Sequence, residues 1–333
     1  MSEPRFLVLR LGSLGDIVHT FPAVSALRET FPRADIVWLT HPRWKLLVES
    51  SALASQVCAT ETRSLHSLRK IIENLRSTRW EAAIDYQGLW KSAGLAFLGR
   101  IKRRIGFSSE TIREFGVPIL YTDKVHCVTT HIADQNGELS LRVGARNPVA
   151  PFTMHVAQED EAEIRGFLDK VALGRYIVLS PGGGWRSKCW PPERFGQLSK
   201  MILDALGLRC VINYGPGEDD LALAVRECSD GADPVPYNGA LGPLMALSRH
   251  AACIVGGDTG PLHLAIALGT PAVALFGPTA PVRNGPYRTD DIVLRAPGAV
   301  RTHRRVDQTH PSMLQIQVNQ VFDAVRRRLG VTE

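Results

Sequence analysis

The sequence predicts an α/β protein of two Rossmann-like, doubly wound domains facing across a cleft. Three observations predict it. Short apolar runs such as RFLVLR, ADIVWLT, RYIVLS and PAVALFG lack polar alternation, as strands do when helices cover both faces of a sheet. Helical stretches separate these runs, and strands alternating with helices imply a parallel sheet. The alternation occurs twice, on either side of RVGARNPVAPFTMHV (142–156), whose two prolines and one glycine mark the approach to a linker.

In the first half, strand 5–10 runs into a Gly-x-x-Gly turn and a helix over 16–31. Strand 34–40 follows, then a helix near 43–50, a helix over 64–80, strand 81–87 and helix 89–99. In the second half, helix 158–170 precedes strand 175–180, the loop PGGGWRSKCWPP and helix 193–206. Strand 208–215, helices 218–228 and 243–250, strand 252–257, helix 261–269 and strand 271–277 complete the series. An amphipathic helix over about 313–329 ends the chain. The expected division is 1–157 and 158–312, with 313–333 as a terminal helix. In open α/β sheets ligands bind at the carboxyl ends of strands, so facing sheets would bring two ligands together.

A chain of 333 residues is long enough for two cores. Its six cysteines are scattered with no Cys-x-x-Cys pair, which argues against zinc and for a reducing compartment. The N-terminus is too polar for a signal peptide, and no apolar run approaches the roughly 20 residues of a membrane span. The net charge of +6 is unevenly placed: residues 63–146 hold 14 Lys/Arg and 8 Asp/Glu, which accounts for the whole excess. That excess points to an anionic partner, whether nucleic acid, a phospholipid surface or an acidic substrate; a solvated basic surface explains the charge alone equally well.

Three loops of the second half carry the chemistry. GGDTGPLH (256–263) ends a strand and opens a helix. The amides of Thr259 and Gly260 and the Thr259 hydroxyl can meet an anion at the positive end of the helix dipole. A plain N-cap by Asp258 or Thr259 is the alternative. His263 reads first as a packed or hydrogen-bonded histidine, with ligand contact second. SPGGGWRSKCWPPERF (180–195) permits close backbone approach and puts Lys188 within reach of a phosphate, though no Walker motif is present. YGPGED (214–219) places Glu218 after the second strand of this half, where Rossmann-type folds hold ribose hydroxyls. Together they describe a nucleotide-diphosphate site, with Asp258 available to hydroxyls of an attached sugar. No Asp-x-Asp metal motif occurs, and helix amides with a lysine can stabilise a leaving diphosphate without one.

GSLGDIVHTFPAVSALRETFP, KCWPPERF and GGDTGPLHLAIALGTPAVALFGPT resemble the lipopolysaccharide heptosyltransferases of glycosyltransferase family nine, over nearly the whole chain. GDIVHTFPA and YQGLWKSAGLAFLGRIKRRIGFSSETIREF are most similar to the heptosyltransferase I group. The resemblance implies a GT-B fold, inversion at the anomeric carbon, no metal or other cofactor, and ADP-heptose as donor in the second domain. It implies a Kdo residue linked to lipid A as acceptor in the first, and a last helix that crosses back onto the first domain. Asp16 matches the catalytic aspartate, Lys188 the phosphate-binding lysine and Glu218 the ribose acid. Asp258 matches the sugar-contacting aspartate, Thr259 and Gly260 the phosphate-binding pair, and Gly239 falls near the backbone that holds adenine. Arg63, Arg69, Lys70 and Arg113 fall at the basic acceptor-binding positions. The loop GGGWRS is more glycine-rich than its Thr/Asp-containing counterpart in that group.

In the implied reaction Asp16 accepts the proton of an acceptor hydroxyl as ADP leaves the opposite face. Gly15 lets the acceptor approach the backbone. A carboxylate with an ordinary pKa of about 3.9 is a weak base that acts as the hydroxyl acidifies late in bond formation. A simple N-cap role is the alternative for Asp16. The expected location is the cytoplasmic face of the inner membrane, held peripherally against an anionic lipid-linked acceptor. The rivals are a family-nine enzyme with another donor or acceptor, a GT-B epimerase, and a basic nucleic-acid-binding protein. The last is disfavoured because no nucleic-acid module is recognisable. A dehydrogenase is disfavoured because Asp16 occupies the first βα turn without a Gly-x-Gly-x-x-Gly.

Overall fold

Where the sequence alternates apolar runs with amphipathic ones, the computed structural model builds two parallel six-stranded sheets. It describes residues 3–61, 64–112, 114–287, 289–302 and 307–331. The chain divides into Met1–His155 and Val156–Glu333, so the boundary falls two residues before the expected one.

The first unit runs β1 (Arg5–Leu9), α1 (Leu14–Val18), α2 (Phe21–Thr30), β2 (Asp35–Thr40), α3 (Lys45–Ser50), β3 (Gln56–Ala59) and α4 (Leu65–Ser77). It continues through β4 (Ala82–Asp85), α5 (Trp90–Leu98), β5 (Arg104–Phe107), β6 (Asp123–Val125) and α6 (Ile132–Val143). The strand order is β3-β2-β1-β4-β5-β6. Successive residues of β1, β2 and β4 are buried on both faces, which is why these strands carry no alternation. One face packs Leu7, Leu9, Val37, Leu39 and Ala83 against Leu95 and Ala96 of α5 and Leu75 of α4. On α2, Phe21 packs edge-on against Trp38 at 5.7 Å.

The expected helix 16–31 is two helices. Pro22 has no N–H to give the Val18 carbonyl, so the chain breaks at His19–Thr20 and restarts with proline in the first turn of α2. Strands β3, β5 and β6 and helix α6 were not expected.

The second unit repeats the plan: α7 (Gln158–Lys170), β7 (Tyr176–Ser180), α8 (Pro192–Leu206), β8 (Arg209–Asn213), α9 (Asp219–Glu227), β9 (Val235–Tyr237) and α10 (Leu241–His250). It ends β10 (Cys253–Gly257), α11 (Gly260–Ala267), β11 (Ala272–Phe276), α12 (Pro281–Asn284), β12 (Ile292–Arg295), α13 (Pro311–Leu314) and α14 (Val318–Arg328). The order β9-β8-β7-β10-β11-β12 is that of the first sheet, so each sheet reverses direction beside its own first strand. Strands β9 and β12 were not expected.

The terminal segment corrects the sequence expectation twice. It is two helices, α14 opening with a Gln317–Gln320 capping box, rather than one helix. Its apolar face is also buried in the second unit, where the expectation had the helix pack on the first. Val321, Phe322, Ala324 and Val325 join Ile177, Leu179, Val255 and Leu275 in one core. The start of α8 fixes the approach, with the Trp190 indole N–H donating to Ile316 O at 2.9 Å and Arg194 donating to Leu314 O at 2.8 Å. The amphipathic stripe was legible in the sequence; the sheet it would cover was not.

Candidate active site

Each sheet's reversal point collects the loops singled out from sequence. In the first unit these follow β1 and β4. Ser13 is the N-cap of α1, and Asp16, at the third helical position, closes a capping box on it. Asp16 is therefore not the N-cap. Its Oδ2 accepts from the Ser13 N–H at 3.2 Å and the Ser13 hydroxyl at 3.0 Å. Its Oδ1 lies 2.8 Å from Nη2 of buried Arg10. Arg10 also donates to Tyr86 O, so its guanidinium spans from the β4 loop to the carboxylate. The Asp16 side chain remains 45% exposed. Gly15 is buried inside α1.

The loop after β4 is held by buried Asp85, which accepts from the amides of Gln87 and Gly88 and the hydroxyls of Ser92 and Tyr121 at 2.7–3.0 Å. Burial raises its pKa above the ordinary value against the pull of these four donors. The turn so fixed brings Gln87 Oε1 onto the amides of Leu11 at 2.9 Å and Gly12 at 3.2 Å, joining the two loops.

Beside them is a cavity of about 380 Å³ lined by Gly12, Ser13, His41, Arg43, Trp44, Thr60, Gln87 and Lys91, among others. Exposed Arg43 lies over the Trp44 ring at 4.8 Å, and Lys91 is exposed. The Thr60 hydroxyl is buried without a hydrogen-bond partner. Sequence reading missed His41, Arg43, Trp44, Thr60 and Lys91. They come from the segments after β2, β3 and β4, Lys91 in the first turn of α5, and their one local signal is that each follows a strand. Arg69 and Lys70 are on the exposed side of α4 and do not line this cavity; Arg69 pairs with Glu73 at 2.9 Å. Arg63 and Arg113 lie outside the described residues.

In the second unit the loops after β7 and β10 interlock. Lys188 Nζ donates to Asp258 O at 3.0 Å and Asp258 Oδ2 at 3.1 Å, with the ammonium 4.7 Å over the Trp185 ring. His263 Nε2 stands 3.0 Å from Asp258 Oδ1. Burial alone would raise the Asp258 pKa. The His263 hydrogen bond and charge, with the Lys188 ammonium, outweigh it and hold the carboxyl below the usual carboxylate range. Thr259 occupies the N-cap position of α11, yet its hydroxyl is buried and bonded to nothing. The Ser187 and Thr279 hydroxyls, in the loops after β7 and β11, are likewise buried and unpartnered. Three such donors around one strand-end edge suit an anion with several acceptor oxygens.

Glycines bring the loops together. A Cβ on Gly182 would sit 2.3 Å from Glu218 Oε2, and one on Gly183 would sit 3.0 Å from Thr259 Cγ2. Glu218 also accepts from the Gly215 N–H at 2.8 Å. Glu218, Lys188, Asp258, Thr259, Gly260 and His263 thus share one edge. Gly239 follows β9 and packs on Tyr237. A larger cavity, about 880 Å³, lies elsewhere, between the end of β12 and α14. Among the described residues no cluster of three His, Cys, Asp or Glu is placed to hold a metal.

The sequence model of glycosyltransferase family 9 (heptosyltransferase) matches residues 68–312. The chain is 28% identical over 309 residues to lipopolysaccharide heptosyltransferase 1 of Escherichia coli O18:K1:H7, covering 88% of this chain and 92% of the relative. A glycosyl transferase family 9 structure from Veillonella parvula superposes with a TM-score of 0.87 at 21% identity, covering 100% and 99% of the two chains. E. coli heptosyltransferase WaaC with ADP-2-deoxy-2-fluoro heptose superposes with a TM-score of 0.73 at 25% identity, covering 97% and 99%.

Proposed function

The chain belongs to glycosyltransferase family 9, the heptosyltransferase family, and from that premise we propose that it moves a heptose from ADP-heptose to a Kdo residue of the lipopolysaccharide inner core. The observation that carries the donor assignment is the Lys188–Asp258–His263 cluster beside the unpartnered Thr259 hydroxyl. The relative of known structure that binds an ADP-heptose analogue supports it.

Lys188, the Thr259 hydroxyl and the first amides of α11 bind the diphosphate and stabilise the charge that builds on it as the glycosidic bond breaks. Glu218 takes the ribose hydroxyls. Asp258 accepts from hydroxyls of the heptose, and His263 positions it. In the first unit Asp16 accepts the proton of the attacking Kdo hydroxyl, and inversion follows from a single displacement. Arg10 and Ser13 hold that carboxylate in place, and a carboxylate is a weak base suited to late proton transfer. Arg43 and Lys91 offer charge to the acceptor's carboxylate and phosphates. Leaving-group stabilisation by lysine and helix amides needs no metal. The site of action is the cytoplasmic face of the inner membrane, with the enzyme held there peripherally. Among the described residues no helix is long and apolar enough to cross a membrane.

Calorimetric titration with ADP, UDP and GDP tests the donor assignment. ADP is expected to bind at least tenfold more tightly than the other two. Equal affinity for all three, or preference for UDP, would refute ADP-heptose as donor.

A further inference from the structure

One face of the first unit is apolar, exposed and unexplained by the chemistry above. Trp90 and Phe97, seven residues apart on α5, share one side of that helix and are 49% and 50% exposed. Between them Gly94 leaves open space. The neighbouring segment adds Phe115 at 99% and Ile119 at 76% exposure. Side chains that could have turned inward already do: Ala93, Val117 and Tyr121 form a small core with Ile112 and Leu120.

The four exposed residues form one strip. The Trp90 N–H donates to Glu114 Oε2 at 2.8 Å, and Gly116 sits so close that a Cβ would be 3.0 Å from the indole. Its φ of 82° lies in the left-handed region, which suits glycine at the turn that carries Phe115. At the other end the Arg104 guanidinium lies 5.6 Å over the Phe97 ring and its Nε donates to Leu120 O at 2.6 Å. Around the strip, residues 89–104 hold Lys91, Arg100, Lys102, Arg103 and Arg104 and no Asp or Glu. Arg103 faces Asp123 at 3.8 Å.

We propose that this strip docks the enzyme on an anionic lipid leaflet, with Trp90, Phe97, Phe115 and Ile119 entering the interfacial layer and the flanking cations meeting lipid phosphates. Aromatic side chains ringed by Lys and Arg have the composition of an interfacial anchor, and an exposed apolar strip of this kind marks an interaction surface. The occupant is a membrane rather than a protein because the charge around the strip is in positive excess: five Lys/Arg over residues 89–104 stand against Glu114, which the Trp90 N–H engages, and Asp123, which faces Arg103. Its position agrees: α5 gives Trp90 to the strip and the next residue, Lys91, to the cavity beside Asp16. A lipid-linked acceptor would therefore lie next to the leaflet that carries it. Only this purpose rests on the proposed function; the docking is measured on lipid alone.

The test is co-sedimentation of the full chain with vesicles of phosphatidylethanolamine and phosphatidylglycerol, and with phosphatidylcholine vesicles as the neutral comparison. Wild type is expected on the anionic vesicles and to leave them at high salt. Phe115→Ser combined with Ile119→Ser should weaken binding about tenfold or more, and Lys102→Glu should weaken it further at low salt than at high. These positions are exposed, and unchanged melting temperatures verify the fold. Wild type that stays in solution with anionic vesicles, or a double variant that binds as wild type does, overturns the proposal. So does a wild-type dimer, seen by ultracentrifugation, that the double variant dissolves. Transfer to a water-soluble acceptor fragment separates the two readings. Vesicle binding without transfer leaves the docking standing and removes the function, while transfer without vesicle binding does the reverse.

Discussion

Asp16→Asn is expected to lower kcat by about 10²–10⁴-fold, the usual contribution of a positioned general base, while ADP affinity stays within about twofold. The asymmetry follows from where the residue sits. Asp16 belongs to α1 of the first unit, whereas the proposed nucleotide ligands all come from the second unit. Asparagine keeps an oxygen for the Ser13 amide, so the capping box survives. It loses the charge opposite Arg10, whose side chain is only 5% exposed and is then left with the Tyr86 carbonyl. A lowered melting temperature is therefore expected as well, since a buried guanidinium left without its counter-charge is destabilising. Kinetics well below that melting temperature separate the effects: loss of the base lowers kcat with acceptor KM little changed. An Asp16→Asn enzyme with near-normal kcat would leave Asp16 as a helix-capping residue only.

Lys188→Ala is expected to lower kcat/KM for the donor by about 10²–10³-fold through both constants. Lysine here does two things. Its ammonium is aimed into a site with unpartnered hydroxyls, and it balances the buried Asp258 carboxylate together with His263. Removing it leaves a negative group beside the proposed diphosphate, so repulsion adds to the lost attraction. The variant also changes acid sensitivity. Asp258 is held below its ordinary pKa, so its ion pair contributes stability above that ordinary value and loses it as pH falls through the depressed one. Lys188→Ala should give up part of that contribution at neutral pH and unfold at a higher pH on acidification. Circular dichroism across pH 2–7 reads this. An acid transition identical to wild type would mean that His263 alone sets the state of Asp258.

Much of this was legible in the sequence because it is local. A strand that ends in glycines and meets Asp-Thr-Gly-Pro states its own helix start, and Lys188 and Glu218 follow strands within a few residues. What stayed hidden depends on tertiary structure. Strands β6 and β9 have only three residues each, too few to show a pattern. Thr60 matters because its hydroxyl is buried without a partner, a property no neighbouring residue encodes. Lys91 enters the cavity because Asp85 holds the turn before it. The amphipathic end of the chain announced a buried face without saying which sheet it covers, and it covers the second.

The purified protein is incubated with ADP-heptose and Kdo-lipid A, and the lipid product is weighed by mass spectrometry as released ADP is counted. The expected result is an acceptor heavier by one heptosyl residue, one ADP per transfer, and near absence of both with Asp16→Asn. An unchanged acceptor mass with ADP-heptose, alongside transfer from a different nucleotide sugar, would contradict it.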